Sequence, residues 1–229
     1  MSQPPISIRI AEAGFDWRRR RLPIDLLLVH ESVTTDLEAT IAVLKRRGLG
    51  AHYAIPPDGE VVQLAPLEHV VFHGGSLNGR SVGIEIVTPY YPGPQAPRAP
   101  WVRAIDAAWA HKGRYVVPLL AQLEALWQLL QHLSLVVPVP LSWPGLHGQR
   151  FALSLLADAE AAAGVQAHIY TAHADGGLPV LYAWLRSVGL EPPEAYEAAI
   201  RLGTKARAWA DVSAFTPPPA PAAISQRSS

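Results

Sequence analysis

Two histidines and an aspartate lie close together in the stretch VQAHIYTAHADGG, residues 165–177. Neutral imidazole nitrogens and carboxylate oxygens are good zinc ligands, and a catalytic zinc site uses three protein groups and leaves a fourth position for water. His168 and Asp175 are seven positions apart and would supply two of these groups. His30, which ends an apolar run in a distant part of the chain, would supply the third, although a histidine can also end a strand without any chemical role.

The hydrophobic pattern predicts the elements that must position these residues. PIDLLLVHESVTT predicts a buried strand over residues 24–29 that ends on His30. DLEATIAVLKRRG predicts a helix capped by Asp36 and ended by Gly48 or Gly50. AHYAIPPDGEVVQLAP predicts a hairpin with its turn at residues 56–59, and HVVFHGG and SVGIEIVTP each predict a short strand.

The second half of the chain is predicted to be mainly helical, with two Pro-rich loops. The apolar spacing predicts a helix over residues 119–133, with Pro118 at its start. ALSLLADAEAAAG and PVLYAWLRSVG predict two further helices, and YYPGPQAPRAPWV and PVPLSWPGLHGQR predict long loops. These elements indicate a mixed α/β fold, with an N-terminal segment at 1–22, one domain at 23–210 and a disordered Pro/Ala-rich tail at 211–229.

Composition excludes several classes of protein. The chain of 229 residues has 19 Lys+Arg and 19 Asp+Glu, so its formal net charge is zero and no bulk charge favours nucleic acid or an anionic membrane. It has no cysteine, so any metal must be held by His, Asp or Glu. We expect the basic run WRRRR to be a solvated segment, the alternative being a surface for anionic wall polymer or lipid.

The stretch MSQPPISIRIAEAGFDW has no apolar segment after a basic start, so we expect no signal peptide, and no apolar run approaches the roughly 18 residues of a membrane span. We therefore expect a protein that is made in the cytoplasm and that would need another system for export. We also expect it to be a monomer without integral membrane association.

The stretch from Leu26 to Val87 resembles the zinc-dependent N-acetylmuramoyl-L-alanine amidases of type 2, which share their fold with peptidoglycan recognition proteins and phage endolysins. The matching features are a strand ending in His, the hairpin AHYAIPPDGEVVQL, the loop and strand HGGSLNGRSVGIE, and a late His followed by Asp-Gly. The resemblance implies a central mixed sheet flanked by helices. It also implies zinc-dependent hydrolysis of the amide between N-acetylmuramic acid and L-alanine in peptidoglycan or muropeptides.

Carried over by position, His30, His168 and Asp175 would be the zinc ligands and Glu85 the general base. His173, where relatives have a lysine, would stabilise the oxyanion. The resemblance also implies that three residues of the HGGSLNGRS stretch bind substrate: His73, Asn78 and Arg80.

Alternatives remain open at several of these positions. His173 or His147 could replace Asp175 as third ligand, and Glu85 could be a buried structural residue. His73, like His52, could hydrogen-bond within the core, and Asn78 and Arg80 could stabilise their loop.

Two departures from the family pattern involve residues next to the implied site. Glu31 follows His30 where many relatives have a second histidine. Ala51 stands at the start of the hairpin where a phage branch has a tyrosine, and this gives Glu85 more weight as the base.

Three other functions are compatible with the same residues. The first is a peptidoglycan-binding module without catalysis, and the second is a zinc peptidase that cuts within the stem peptide. The third is a cytosolic amidase that recycles wall fragments. We expect bacterial cell wall lysis of the phage endolysin kind, because the long loops carry Pro, Tyr and Trp that could stack on a glycan.

Overall fold

The computed structural model describes residues 6–92, 102–171 and 173–215. Within these ranges the strands, in chain order, are β1 (Ile8–Ile10), β2 (Arg18–Arg19), β3 (Leu26–Glu31), β4 (Tyr53–Ile55), β5 (Val61–Gln63), β6 (His69–Val70), β7 (Ser81–Ile86), β8 (Arg103–Asp106), β9 (Arg114–Val117), β10 (Leu146–His147), β11 (Arg150–Ala152), β12 (Gly164–Ala167) and β13 (Trp209–Asp211). The helices are α1 (Leu37–Arg46), α2 (Leu120–Val136), α3 (Gly177–Ser187) and α4 (Pro192–Lys205).

The central sheet has six strands in the order β1-β5-β4-β7-β3-β12. Strands β4, β7, β3 and β12 run parallel to one another, β5 is antiparallel to β4, and β1 is parallel to β5. β3 and β7 pair along six residues, from Leu26 opposite Ser81 to Glu31 opposite Ile86. The carboxyl ends of β7, β3 and β12 therefore meet at one edge of the sheet, where α/β proteins commonly place their sites.

Helices cover both faces of this sheet, because the strand residues alternate between two apolar clusters. Leu27 and Val29 of β3 pack in the large cluster with the apolar faces of α2, α3 and α4. On the other face, Val62 and Leu64 pack with Leu37, Ile41 and Leu44 of α1. The prediction of a mixed α/β fold with a central sheet flanked by helices is confirmed.

Several elements lie where the sequence predicted them. The side chain of Asp36 accepts a hydrogen bond from Ala39 N at 2.8 Å and so caps α1, as expected. The hairpin of β4 and β5 and the helices α2 and α3 are also confirmed. Helix α4 was not predicted, although Pro192 at its start and the buried Ala195, Ala198 and Ala199 are helix signals.

The helix predicted for ALSLLADAEAAAG is wrong. Ala152 ends β11, residues 153–163 form bends and turns, and Gly164 begins β12 with a φ of 112°. The side-chain amide of Gln166 donates to the carbonyls of Ala159 and Ala162, at 2.8 and 2.9 Å. Pairing of β11 with β13 and of β12 with β3 fixes both ends of this stretch, so tertiary structure overrides its alanine-rich helix propensity.

The basic run WRRRR is largely exposed, as expected, but Arg20 within it is partly buried. β2 pairs with β6, and the guanidinium of Arg20 donates to the carbonyls of Leu67, Gly79, His69 and Ser81 at 2.7–3.0 Å. Farther upstream, β1 pairs with β5 and so extends the central sheet. Residues 8–10 and 18–20 therefore pack on the domain, while the other side chains of the basic run remain exposed.

Parts of the predicted loop and tail, residues 93–101 and 216–229, lie outside the described residues. The second predicted loop contains the short strand β10 and ends at Arg150, the first residue of β11. Across the described ranges, no helix is long and apolar enough to cross a membrane.

Candidate metal centre

The strand ends bring together side chains from distant parts of the chain. His30 lies near the end of β3, directly opposite Glu85 in β7, and His168 follows the last residue of β12. Asp175 comes from the loop that leads into α3. The parallel register thus places His30, Glu85, His168 and Asp175 at the same edge of the sheet.

Three of these side chains form a group that could hold a metal ion, namely His30, His168 and Asp175, each with a ligand atom within 4.8 Å of the others. The Nδ1 atoms of His30 and His168 are 3.0 Å apart, and His168 Nδ1 is 3.1 Å from Oδ1 of Asp175. Ligand bonds of about 2.0–2.1 Å in a tetrahedral zinc site imply ligand atoms roughly 3.3 Å apart. The donor set therefore fits zinc in both chemistry and size.

One atom of the group, Oδ1 of Asp175, is a buried acceptor whose close polar neighbour is Nδ1 of His168 at 3.1 Å. Asp175 is 6% exposed, and its Oδ1 has no hydrogen-bond partner among the described residues. A buried acceptor left unpaired costs about 1–3 kcal/mol. A cation held between this oxygen and the two Nδ1 atoms would remove that cost, which independently supports a metal in this position.

Glu31 holds the loop that carries Asp175. Its Oε2 accepts from the backbone N of Gly176 at 2.7 Å, and its Oε1 accepts from the hydroxyl of Tyr115 at 2.5 Å. Burial raises the pKa of Glu31 to about 8, although these two hydrogen bonds oppose the shift. In sequence Glu31 was only a departure from the family pattern, since the signal for its role lies in the fold around it.

Gly176 makes this close approach possible. Its φ is 76°, and a Cβ at this position would lie 2.2 Å from the carbonyl oxygen of Val29 in β3. Left-handed backbone and the absent side chain both favour glycine here. The Asp-Gly pair in the sequence is therefore a candidate ligand followed by the turn that brings it to the sheet.

Glu85 faces the cleft with a carboxyl group that has no partner. It is 7% exposed and makes no hydrogen bond or ion pair with any residue that the structure describes. Burial raises its pKa well above the ordinary value, and the nearby carboxylates of Asp175 and Glu31 add to this effect. A desolvated carboxylate of this kind is a stronger base than an exposed one.

The other predicted site residues lie around this group. His173 is exposed, lines the cleft and stacks on His168 with 4.7 Å between the ring centroids. His73 lies behind His30, with its Nδ1 3.1 Å from Nε2 of His30. Burial lowers the pKa of both His30 and His73 well below the ordinary value.

Asn78 and Arg80 have contacts that fit the loop-stabilising alternative. Oδ1 of Asn78 accepts from the backbone N of His73 and Gly74, at 2.8 and 2.6 Å. Arg80 forms a two-pronged ion pair with Asp25, at 2.6 and 2.8 Å. Asn78 still lines the cleft, and the prediction that both residues bind substrate stays a prediction.

Two further histidines, His147 and His52, lie away from the candidate ligands. His147 is on β10, where its Nε2 donates to the carbonyl of Pro144 at 3.0 Å and its ring meets Trp209 edge-on. It is outside the group formed by the three candidate ligands. His52 is buried, accepts from Gly83 N through Nδ1 and contacts the carbonyl of His69 through Nε2, so it hydrogen-bonds within the core.

The candidate ligands line a cleft with a volume of about 540 Å³. Apolar side chains of Val33, Leu44 and Phe72 line one part of it, and Ser76, Glu160 and Thr171 line another. A cleft of this size fits within the range that proteins use for small-molecule ligands and cofactors.

The chain belongs to the N-acetylmuramoyl-L-alanine amidase family, whose model matches residues 20–141, just over half of its length. This match includes His30, His73 and Glu85. His168 and Asp175 lie beyond it, and the fold brings them to the matched part. The resemblance inferred from the sequence motifs is thereby confirmed.

Solved structures similar to this chain include a hydrolase, an endolysin amidase and a peptidoglycan recognition protein. A Staphylococcus aureus hydrolase, AmiA, solved with its ligand, has 14% identity and a TM-score of 0.48, covering 90% of this chain and 89% of that one. The endolysin amidase LysCS from Clostridium intestinale has 18% identity and a TM-score of 0.39, with coverage of 58% and 76%. The Drosophila peptidoglycan recognition protein SA has 14% identity and a TM-score of 0.40, with coverage of 59% and 76%. No curated protein matches the chain.

Proposed function

We propose that this protein hydrolyses the amide between N-acetylmuramic acid and L-alanine of peptidoglycan, with zinc held by His30, His168 and Asp175. The observation that carries the proposal is the convergence of two Nδ1 atoms and a buried carboxylate oxygen in a cleft that Glu85 also lines. Membership of the amidase family supports the choice of an amide as the bond that is cut.

Each residue has a separate task in this proposal. Zinc at this site would supply Lewis-acid chemistry, lowering the pKa of a water to about 7 and polarising the carbonyl of the amide. Glu85 takes a proton from the attacking water and delivers it to the leaving nitrogen of L-alanine, as a general base and then a general acid. Burial raises the pKa of Glu85 well above its ordinary value, which makes its carboxylate a stronger base than an exposed one.

His173 acts on the oxygen of the attacked carbonyl. It is exposed at the cleft beside His168, where an N–H of its ring can donate to the negative charge that develops on that oxygen. Donors that are already positioned where charge develops stabilise the transition state more than the substrate. A lysine in this position would keep its charge over a wider pH range than an imidazole does.

The first experiment measures metal content and reaction product in one preparation. Protein purified without a histidine tag is analysed for zinc, and muropeptides are then incubated with it, with and without a chelator, and weighed by mass spectrometry. About one zinc ion per chain and chelator-sensitive release of free stem peptide are the expected results. His147→Gln, on β10 away from the candidate ligands, is the control variant and should retain both.

Other outcomes would lead to the alternative functions. Absence of zinc together with intact muropeptides would contradict the proposal and leave a peptidoglycan-binding module. Product masses that correspond to cleavage inside the stem peptide would identify a peptidase. Running intact sacculi beside soluble muropeptides separates wall lysis, which we propose, from recycling of wall fragments.

A further inference from the structure

We propose that His73 and Ser81 are positioning residues that hold His30 in the tautomer whose Nδ1 is free to bind the metal. The inference rests on the proposed function, because it concerns the same metal centre. It assigns to His73 a task other than the substrate binding that the motif suggested.

A chain of four groups leads from His30 to the backbone. Nε2 of His30 is 3.1 Å from Nδ1 of His73, and Nε2 of His73 is 3.2 Å from Oγ of Ser81. The hydroxyl of Ser81 donates to the carbonyl oxygen of Leu77 at 2.8 Å. Every polar atom on the way is therefore engaged, and the chain ends on a group that can only accept.

The last group in this series of hydrogen bonds, the carbonyl of Leu77, fixes which atom donates in each bond. Because a carbonyl oxygen only accepts, the single hydroxyl proton of Ser81 is used in the bond to Leu77. Oγ of Ser81 must then accept, so Nε2 of His73 carries the proton and Nδ1 of His73 keeps a lone pair. That lone pair accepts from Nε2–H of His30, which leaves Nδ1 of His30 without a proton and directed at His168.

The position of the His73 ring is fixed by its neighbours as well. It packs over Gly83 of β7, where a Cβ would lie 2.7 Å from both Cγ and Nδ1 of the ring. Asn78 holds the backbone of His73 through the bond to its N at 2.8 Å. Glycine in the strand and the Asn78 side chain in the loop therefore both serve to place one imidazole behind His30.

The experiment uses two variants of similar side-chain size. His73→Leu removes the acceptor for His30, while His73→Asn can still offer Oδ1 close to the position of Nδ1. Zinc affinity is measured by competition with a chromophoric chelator, and thermal unfolding of the zinc-free proteins checks the fold. We expect His73→Leu to weaken zinc binding by about ten- to hundredfold and His73→Asn by less than about tenfold.

Two further measurements test which atoms donate in this series of hydrogen bonds. Ser81→Ala removes the partner of the His73 ring without touching His30, and we expect zinc affinity to fall between those of the wild type and His73→Leu. Nitrogen-15 NMR of the imidazole rings should report the Nε2–H tautomer for His30 in the wild-type protein. His111→Asn, on the surface, serves as the control and should bind zinc as the wild type does.

The results separate failure of this inference from failure of the proposed function. A folded His73→Leu protein that binds zinc as tightly as the wild type would overturn the inference and leave the metal centre standing. Protonation of His30 at Nδ1 in the NMR spectrum would also overturn it. A wild-type protein that binds no zinc would overturn both.

Discussion

Glu85 is the register partner of His30 in the parallel pairing of β3 and β7, so their side chains lie on the same face of the sheet. That face is the one where the cleft opens. The proposed base and a candidate metal ligand, which are far apart in sequence, are therefore neighbours because of one strand pairing. A shift of the pairing by one residue would turn one of the two side chains to the opposite face.

This relationship predicts the behaviour of Glu85→Gln. The amide keeps the shape of the side chain but cannot accept a proton, so turnover should fall by about a hundred- to ten-thousandfold while zinc stays bound. Steady-state rates on muropeptides and elemental analysis of the same preparation check both halves. Glu160→Gln, which changes another acid at the cleft, is the control. Full activity in Glu85→Gln would remove the general-base assignment.

Glu31→Ala should loosen the loop that carries Asp175, because it removes the acceptor for Gly176 N. We expect zinc affinity to fall by about tenfold or more, since partners that orient metal ligands have effects of this size. Hydrogen exchange at the Gly176 amide should become faster. Tyr115→Phe removes only the other bond to Glu31 and should have a smaller effect on both readouts. Unchanged affinity and exchange in Glu31→Ala would show that Asp175 is positioned without Glu31.

Gly176→Ala tests the close contact with β3. The new Cβ would meet the carbonyl oxygen of Val29 at 2.2 Å in addition to the left-handed backbone. Gly48 has a similar φ of 66° but nothing within 4 Å, so Gly48→Ala should cost only about 1–2 kcal/mol of unfolding free energy. Chemical denaturation of the two variants should give a clearly larger loss for Gly176→Ala. Equal losses would mean that backbone conformation alone requires the glycine.

The buried His52 should make the folding stability of the protein depend on pH. Burial lowers the pKa of His52 from 6.5 to about 4; the hydrogen bond to the backbone carbonyl of His69 opposes this shift, and the neighbouring side chains of Arg20 and His69 add to it. The unfolded chain then binds a proton that the folded protein does not between these values, so this stabilising contribution is complete above pH 6.5 and is lost as pH falls towards 4. The loss amounts to about 3 kcal/mol.

The measurement is the free energy of unfolding of the zinc-free protein between pH 4 and 7. His52→Gln lacks the titrating ring and should therefore show a shallower fall with decreasing pH than the wild type. His30 and His73 remain in both proteins, so the difference between the two curves isolates His52. Parallel curves would contradict the assignment.

Arg20 should be worth far more to stability than its neighbour in the same basic run. Arg20→Ala removes a donor from four carbonyl oxygens, of which that of His69 also contacts Nε2 of His52, and should cost about 2–4 kcal/mol in chemical denaturation. Arg19 is exposed, and Arg19→Ala should change stability by less than about 0.5 kcal/mol. Similar values for the two variants would mean that the carbonyls find other partners.

The sequence by itself determined part of the central sheet and the residue types of the candidate site. Apolar alternation and turn residues are local signals, and they were sufficient for β3, for the β4–β5 hairpin and for α1 and α2. The same signals failed for residues 152–164, where long-range strand pairing at both ends outweighs a local preference for helix. Local propensity is decisive only where no stronger tertiary contact competes.

Only the tertiary structure decided how the candidate residues act together. Parallel pairing brings His30 beside Glu85, and the Gly176 turn carries Asp175 to within reach of both histidines. The positioning roles proposed for Glu31 and His73 depend on their neighbours in space. The spacing of these two residues in the sequence does not indicate those roles. Hydrogen bonds and ligand geometry depend on distances of a few tenths of an ångström, which residue order alone does not specify.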